Sequence, residues 1–211
     1  LSIASASVEN ASEILTRAAT PELLTSGSIG IFLEGAAGTN YTKKDNIQYD
    51  YSVSKWVPKN EAETLYLGGE NANAYYKTTK INQPTKEAAA LTSQIFDTDL
   101  DLLYAKNKTV NGTSAGKAVE FILGHAYSQV EFVLSRDNYP NTCKVTQIAV
   151  KNANIIGNTT LNLATGVYAA GTVNANFSYN TNPAIPADGI TVPSTGTVNS
   201  NLLMIPCTLA N

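Results

Sequence analysis

The amino-acid sequence predicts an all-β protein, and three observations carry that prediction. Apolar residues recur with a period of two, β-branched and aromatic residues fill the apolar clusters, and Gly, Asn, Asp or Pro separates most of the clusters. Short runs at this spacing suggest a β-sandwich. With 211 residues, 43% hydrophobic and 15% charged, the chain buries a substantial core but is too short for more than one or two domains.

Taken in order, strands are expected at residues 28–33, 47–53, 63–67, 72–77 and 100–104, each a β-prone run bounded by turn formers. Residues 86–96 are the one helical candidate, an Ala-rich piece after Pro84-Thr85 in which Ala88, Leu91 and Ile95 would share a face. A strand at 118–123 points Val119, Phe121 and Leu123 to one side. Gly124-His125 then forms a bend or bulge before the cleanest alternation in the chain, residues 126–134. There Ala126, Ser128, Val130, Phe132 and Leu134 face inward, with Phe132 expected in the core, and Tyr127, Gln129, Glu131 and Val133 face outward. These two runs are expected at the centre of the first domain. A turn at 136–141 leads to strands at 144–151, 159–163 and 172–177. Residues 180–197 hold three prolines and two glycines among few apolar residues and read as a linker or long loop, before a last strand-like run at 202–208. The domain reading is therefore a nearly complete β domain over 1–179, a connecting segment over 180–197, and the beginning of a second β domain over 198–211.

Charge excludes one class of partner. The formal net charge is -3 and the chain has two arginines, Arg17 and Arg136, so no basic stripe is available for a nucleic-acid backbone. No run of about 18 apolar residues is present to span a bilayer as a helix. Abundant Ser, Thr and Asn with few charges is a composition typical of exported surface proteins. Cys143 and Cys207 are too few for a disulfide framework and match no zinc spacing, so both are expected as free or packed thiols.

Catalytic chemistry finds little support. His125 is the single histidine and sits between apolar strands beside Gly124, the setting of a structural residue rather than a proton carrier. Neither a Gly-x-Ser-x-Gly elbow, nor a phosphate-binding Gly-rich loop, nor a His-Glu-x-x-His pair occurs. Asp97, Asp99 and Asp101 would line one side of an extended strand, where calcium could bridge them, but the remaining oxygen ligands are missing and a solvated acidic edge accounts for them better. No metal or cofactor is expected. Asn-x-Ser/Thr sequons begin at Asn10, Asn40, Asn107, Asn111, Asn158 and Asn176, either glycosylation sites of a secreted protein or matches of which chance supplies several in so Asn- and Thr-rich a chain. Tyr49, Tyr51, Trp56, Tyr66, Tyr75 and Tyr76 are either a sugar-stacking platform or, as is commoner in strands, core and cross-strand partners.

The order of segments carries a resemblance. Ser28-Ile29-Gly30-Ile31-Phe32, Trp56-Val57-Pro58, Leu65-Tyr66-Leu67-Gly68-Gly69 leading to Ala74-Tyr75-Tyr76, and Asp101-Leu102-Leu103-Tyr104-Ala105 come first. The run from Val119 to Leu134 around His125-Ala126-Tyr127-Ser128 follows, then Leu161-Asn162-Leu163-Ala164-Thr165-Gly166 and Leu202-Leu203-Met204-Ile205-Pro206. In this order, over nearly the whole chain, the sequence resembles the fimbrillin family, the type V pilin subunits and fimbrillin-like surface proteins of gut and oral anaerobes. It departs from the family pattern at Tyr76-Lys77, where proline is common.

The resemblance implies transthyretin-like β-sandwich domains in series, the second only begun here, and export as a lipoprotein precursor to outer-membrane fimbriae at the cell surface. It also implies a first strand, represented by Leu1, Ile3 and Val8, that precedes an arginine cut by an Arg-specific protease, with Arg17-Ala18 in the matching place. In family members that polymerise, so the resemblance implies, removal of that strand opens a groove that a donor strand of the next subunit fills. The function so implied is a non-enzymatic structural or adhesive subunit whose partners are other fimbrial subunits and host or bacterial surface ligands. The alternative is a monomeric surface module that binds glycan or host protein.

Overall fold

The computed structural model describes residues 2–8, 22–34, 43–63, 71–77, 86–97, 99–109, 118–178 and 188–208. In chain order the strands begin with β1 (Ser2–Val8), β2 (Glu22–Leu23), β3 (Ser28–Leu33), β4 (Lys44–Ser52), β5 (Lys55–Pro58) and β6 (Asn71–Lys77). Next come β7 (Ala89–Thr92), β8 (Gln94–Ile95), β9 (Leu103–Thr109), β10 (Ala118–His125), β11 (Ser128–Leu134), β12 (Cys143–Val145) and β13 (Ala149–Lys151). The last are β14 (Ile156–Asn162), β15 (Val167–Tyr168), β16 (Thr172–Val173), β17 (Asn176–Ser178), β18 (Ile190–Val192) and β19 (Val198–Met204). Among the described residues a single 3-10 turn, Glu61–Glu63, interrupts the strands, and no α-helix occurs. The all-β expectation holds.

The chain forms two compact units, each assembled from separated segments. The first comprises Leu1–Ala89, Thr98–Ala126 and Thr160–Ala169. Its framework is an eight-stranded sheet in the order β10-β9-β6-β3-β4-β5-β1-β2, and an additional β10–β1 pairing closes seven of those strands into a ring. Inside lies one apolar cluster in which Ile29, Ile31, Tyr49, Phe121 and Leu123 are wholly buried. Alternation explains the lining: Val119, Phe121 and Leu123 point in from β10 while Glu120 and Ile122 point out. Lys86, buried to 9% exposure, is paired with Glu34, so its charge has a partner where it has lost water.

The second unit comprises Ala90–Asp97, Tyr127–Thr159 and Ala170–Asn211. It is built from small antiparallel pairings: β11 with β19 and β19 with β8, β12 with β18, β13 with β17, and the first half of β14 with β16. Its core gathers Ile148, Ile155, Phe177, Leu202 and Met204, against which Val130, Phe132 and Leu134 pack from β11. Phe132 thus faces the core as its alternation predicts, but it is half-buried.

Several element readings need correction. Residues 86–96 are not helical but carry β7 and β8, because Ala89, Leu91 and Ser93 are all buried at a spacing of two, a pattern only a strand satisfies. The 100–104 strand starts later, at Leu103. The bend after β10 falls at residues 126–127, two positions past Gly124-His125, which stay in the strand. The runs at 118–123 and 126–134 belong to different sheets rather than to one centre. The 144–151 run is two strands split by residues 146–148, and β18 lies within the supposed linker, held by Cys143↔Val192 to Val145↔Ile190. The last run starts at Val198 and pairs with β11 along its length. Of the expected 63–67 strand, Glu63 belongs to the 3-10 turn and the remainder lies outside the described residues.

Candidate functional site

Strand β1 is the element on which the expected assembly chemistry turns. It runs parallel to β10, pairing Ser2↔Ala118 and Ile3↔Val119 and then, after a register shift between Ile3 and Ser5, Ser5↔Glu120 through Val8↔Leu123. Every other pairing in the eight-stranded sheet is antiparallel. On its other side Ile3 pairs with Trp56 of β5, while Ser7 and Val8 pair with Leu23 and Glu22. The Leu24 amide donates to the Ala6 carbonyl at 2.8 Å. β1 is therefore the piece that joins β10 to β5 and makes the ring complete.

Its side chains are seated as core. Ile3 is 4% exposed and Ala6 is fully buried, both within the cluster that holds Trp56, Val119 and Phe121. Tyr51 packs its ring edge-on against Trp56, centroids 5.3 Å apart at 70°. Facing the other way, Ser5 Oγ donates to Glu120 Oε1 at 3.0 Å. Ile3 alone, taken fully out of water, contributes about 1.5–3 kcal/mol.

Of the residues singled out from sequence, the structure puts Ile3 in this seat and pairs the Val8 backbone at its end. Leu1, Arg17 and Ala18 lie outside the described residues. The chain's other arginine is tied down: Arg136 Nε donates to the Pro193 carbonyl at 3.0 Å and Nη1 donates to the Asn141 carbonyl. Ala6, Ser5 and Glu120 escaped the sequence reading, because small or polar residues in a serine-rich run give no periodic signal.

The candidate chemistry elsewhere resolves into structure. His125 Nδ1 lies 2.6 Å from Asp101 Oδ2, so the histidine at the end of β10 clasps the segment that enters β9. Asp97, Asp99 and Asp101 fall in loop and turn rather than on one strand, and among the described residues no three His, Cys, Asp or Glu side chains converge as metal ligands. Tyr49 and Trp56 are core residues, not an exposed stacking surface. Tyr66 lies outside the described residues, and Tyr75 and Tyr76 are described by backbone alone. Cys143 and Cys207 are free, half-buried thiols. The sequon asparagines Asn158 and Asn176 are exposed, each on a paired strand. No helix is long and apolar enough to cross a membrane, among the described residues.

Comparison with known proteins bears on this arrangement. A family model described as fimbrillin-like matches residues 16–211, leaving β1 outside the match. A candidate cell adhesion protein from Bacteroides ovatus shares the fold at a TM-score of 0.60 and 18% identity, over 99% of this chain and 78% of that one. A second, from Bacteroides uniformis, does so at a TM-score of 0.56 and 14% identity, over 97% of this chain and 74% of that one. A search of curated proteins finds no significant match.

Proposed function

Because the chain belongs to the fimbrillin-like family, we propose that it is a non-enzymatic structural or adhesive subunit of cell-surface fimbriae, joined to its neighbours by protease-triggered strand exchange. The observation that carries this reading is the position of β1, which joins β10 to β5 from the start of the chain, so that its removal turns the closed ring into an open sheet with β10 and β5 as free edges. Such edges, with a vacated apolar seat between them, are a template for an incoming strand. Main-chain hydrogen bonds supply the adhesion and the seats of Ile3 and Ala6 supply the fit.

The trigger is a cut after Arg17, which severs β1 from the rest of the chain. Two facts support that choice of bond. The family match begins at residue 16, and the guanidinium of Arg136 is engaged by two carbonyl groups, which ties down the side chain that a protease must draw into its own pocket to cut the competing bond. The same reading includes export to the outer membrane as a lipoprotein precursor and assembly with other fimbrial subunits, which membership of the fimbrillin-like family supports.

Limited digestion of the whole chain with an Arg-specific protease, followed by mass spectrometry and unheated detergent gels, tests the reading. Cutting after Arg17 should yield detergent-resistant oligomers, and Arg17→Ala should stay monomeric. First cleavage at Arg136, or oligomers that form equally well with Arg17→Ala, would overturn it. A cut chain that stays monomeric would favour the surface module that binds glycan or host protein.

A further inference from the structure

We infer that the seat of β1 selects its occupant by spacing and size. The strand it takes from a second subunit runs parallel to β10, carries a large aliphatic side chain and, three residues later, one no larger than alanine or serine. This deepens the strand-exchange reading and rests on it.

Spacing is the first key. In a regular strand inward positions recur every second residue. β1 departs from that, because its register against β10 shifts between Ile3 and Ser5, and the inward pair is Ile3 and Ala6. Both lie in the buried core, while Ser5 between them turns away to reach Glu120. A bulge of this kind fixes register, since a one-residue slip would turn the apolar side chains outward. An incoming segment without the extra residue reaches one apolar seat and misses the other.

Size is the second key. Ala6 is paired with Phe121, itself wholly buried, so the large ring on β10 fills the volume that a larger residue on β1 would need. A leucine at this point overpacks a core that has no slack. At Ile3 the need is reversed: this side chain is buried in the cluster that holds Val119 and Trp56, and a small residue in its place would leave a void. The occupant is thus an aliphatic-x-x-small segment, a narrower class than the apolar alternation a plain groove accepts.

Two measurements on the whole chain test this. In urea, Ala6→Leu and deletion of Ala4 should each lower the unfolding midpoint, while Ala6→Ser should leave it near that of the parent chain; an Ala6→Leu midpoint equal to the parent's would overturn the size rule. In the second measurement the chain is cut after Arg17 with both fragments retained, and synthetic peptides compete for the seat. Ser-Ile-Ala-Ser-Ala-Ser-Val should release the 1–17 fragment, and the same peptide carrying Ala6→Leu, or lacking Ala4, should need at least 10-fold more peptide. Equal release by all three would overturn the selection rule even if the variant chains failed to fold. A destabilised Ala6→Leu chain whose cut form releases nothing to any peptide would refute strand exchange while supporting selection of β1 by its seat.

Discussion

Phe132 illustrates how far a single residue can be read. Its inward direction follows from alternation, and it does pack against the second unit's core. Yet its exposure depends on how many strands cover it, and its small sheet leaves it half-covered. Phe132→Ala should therefore cost about 2 kcal/mol in urea unfolding, below the roughly 3–5 expected at full burial. Tyr104 makes a different prediction. Burial raises its hydroxyl above the ordinary tyrosine value of 10.0, because the fold disfavours the phenolate. The folded state then holds this proton more tightly than the unfolded chain does. Stability from this source is complete below pH 10.0 and is lost as pH rises from there through the raised value. Alkaline unfolding of Tyr104→Phe should show a shallower loss over that range than the parent chain.

At the scale of elements, the segment 86–96 shows why local signals mislead. Ala-rich composition and an i, i+3, i+7 trio favour a helix, but the same residues also alternate, and burial of Ala89, Leu91 and Ser93 decides for strands. What holds them is not visible in the sequence. Ser93 Oγ donates to the Ile156 carbonyl at 2.6 Å and accepts from the Ile205 amide at 3.0 Å, and its own amide donates to the Gly157 carbonyl at 2.8 Å. Ser93→Ala should cost about 1–3 kcal/mol, because a buried carbonyl and amide lose their partner; Ser93→Thr, which keeps the hydroxyl, should recover part of it in the same melts. The β4–β5 hairpin is a second case. Its two turn residues, Val53 at φ 49° and Ser54 at φ 61°, adopt the left-handed conformation that Asn and Gly prefer, and Val53 is 89% exposed. Val53→Asn with Ser54→Gly should raise stability by about 1 kcal/mol, read from the urea midpoint. No Asn-Gly marks this turn, so the sequence reading missed β5, although it placed Ser28–Leu33 to the residue and came within one residue of β6.

At the scale of the whole molecule, the all-β class and the family were legible because they depend on composition, alternation and the order of segments, all of which a chain displays openly. The division into units was not. The first unit draws on three separated segments and the second on three more, and β14 itself is divided at Thr159. No composition shift marks such boundaries, because they arise from long-range pairing rather than from linkers. The candidate site was legible only through resemblance: Ile3 stands out as apolar, but the parallel seat against β10 needs the register to be seen.

That seat also sets an order of events in time. Residues 2–8 find their main partner at 118–123, so more than a hundred residues must be made before the first strand has its place. Hairpins such as β3–β4 and β4–β5 need only their near neighbours, and loop closure favours them early. In pulse-labelled refolding the amides of 2–8 should gain protection after those of 28–33 and 44–52; simultaneous protection would argue against this order. A chain that folds this way passes through an interval in which the ring is already shaped but still lacks its last stave. During that interval the edges of β10 and β5 that β1 will cover lie open, as they would if β1 were taken away.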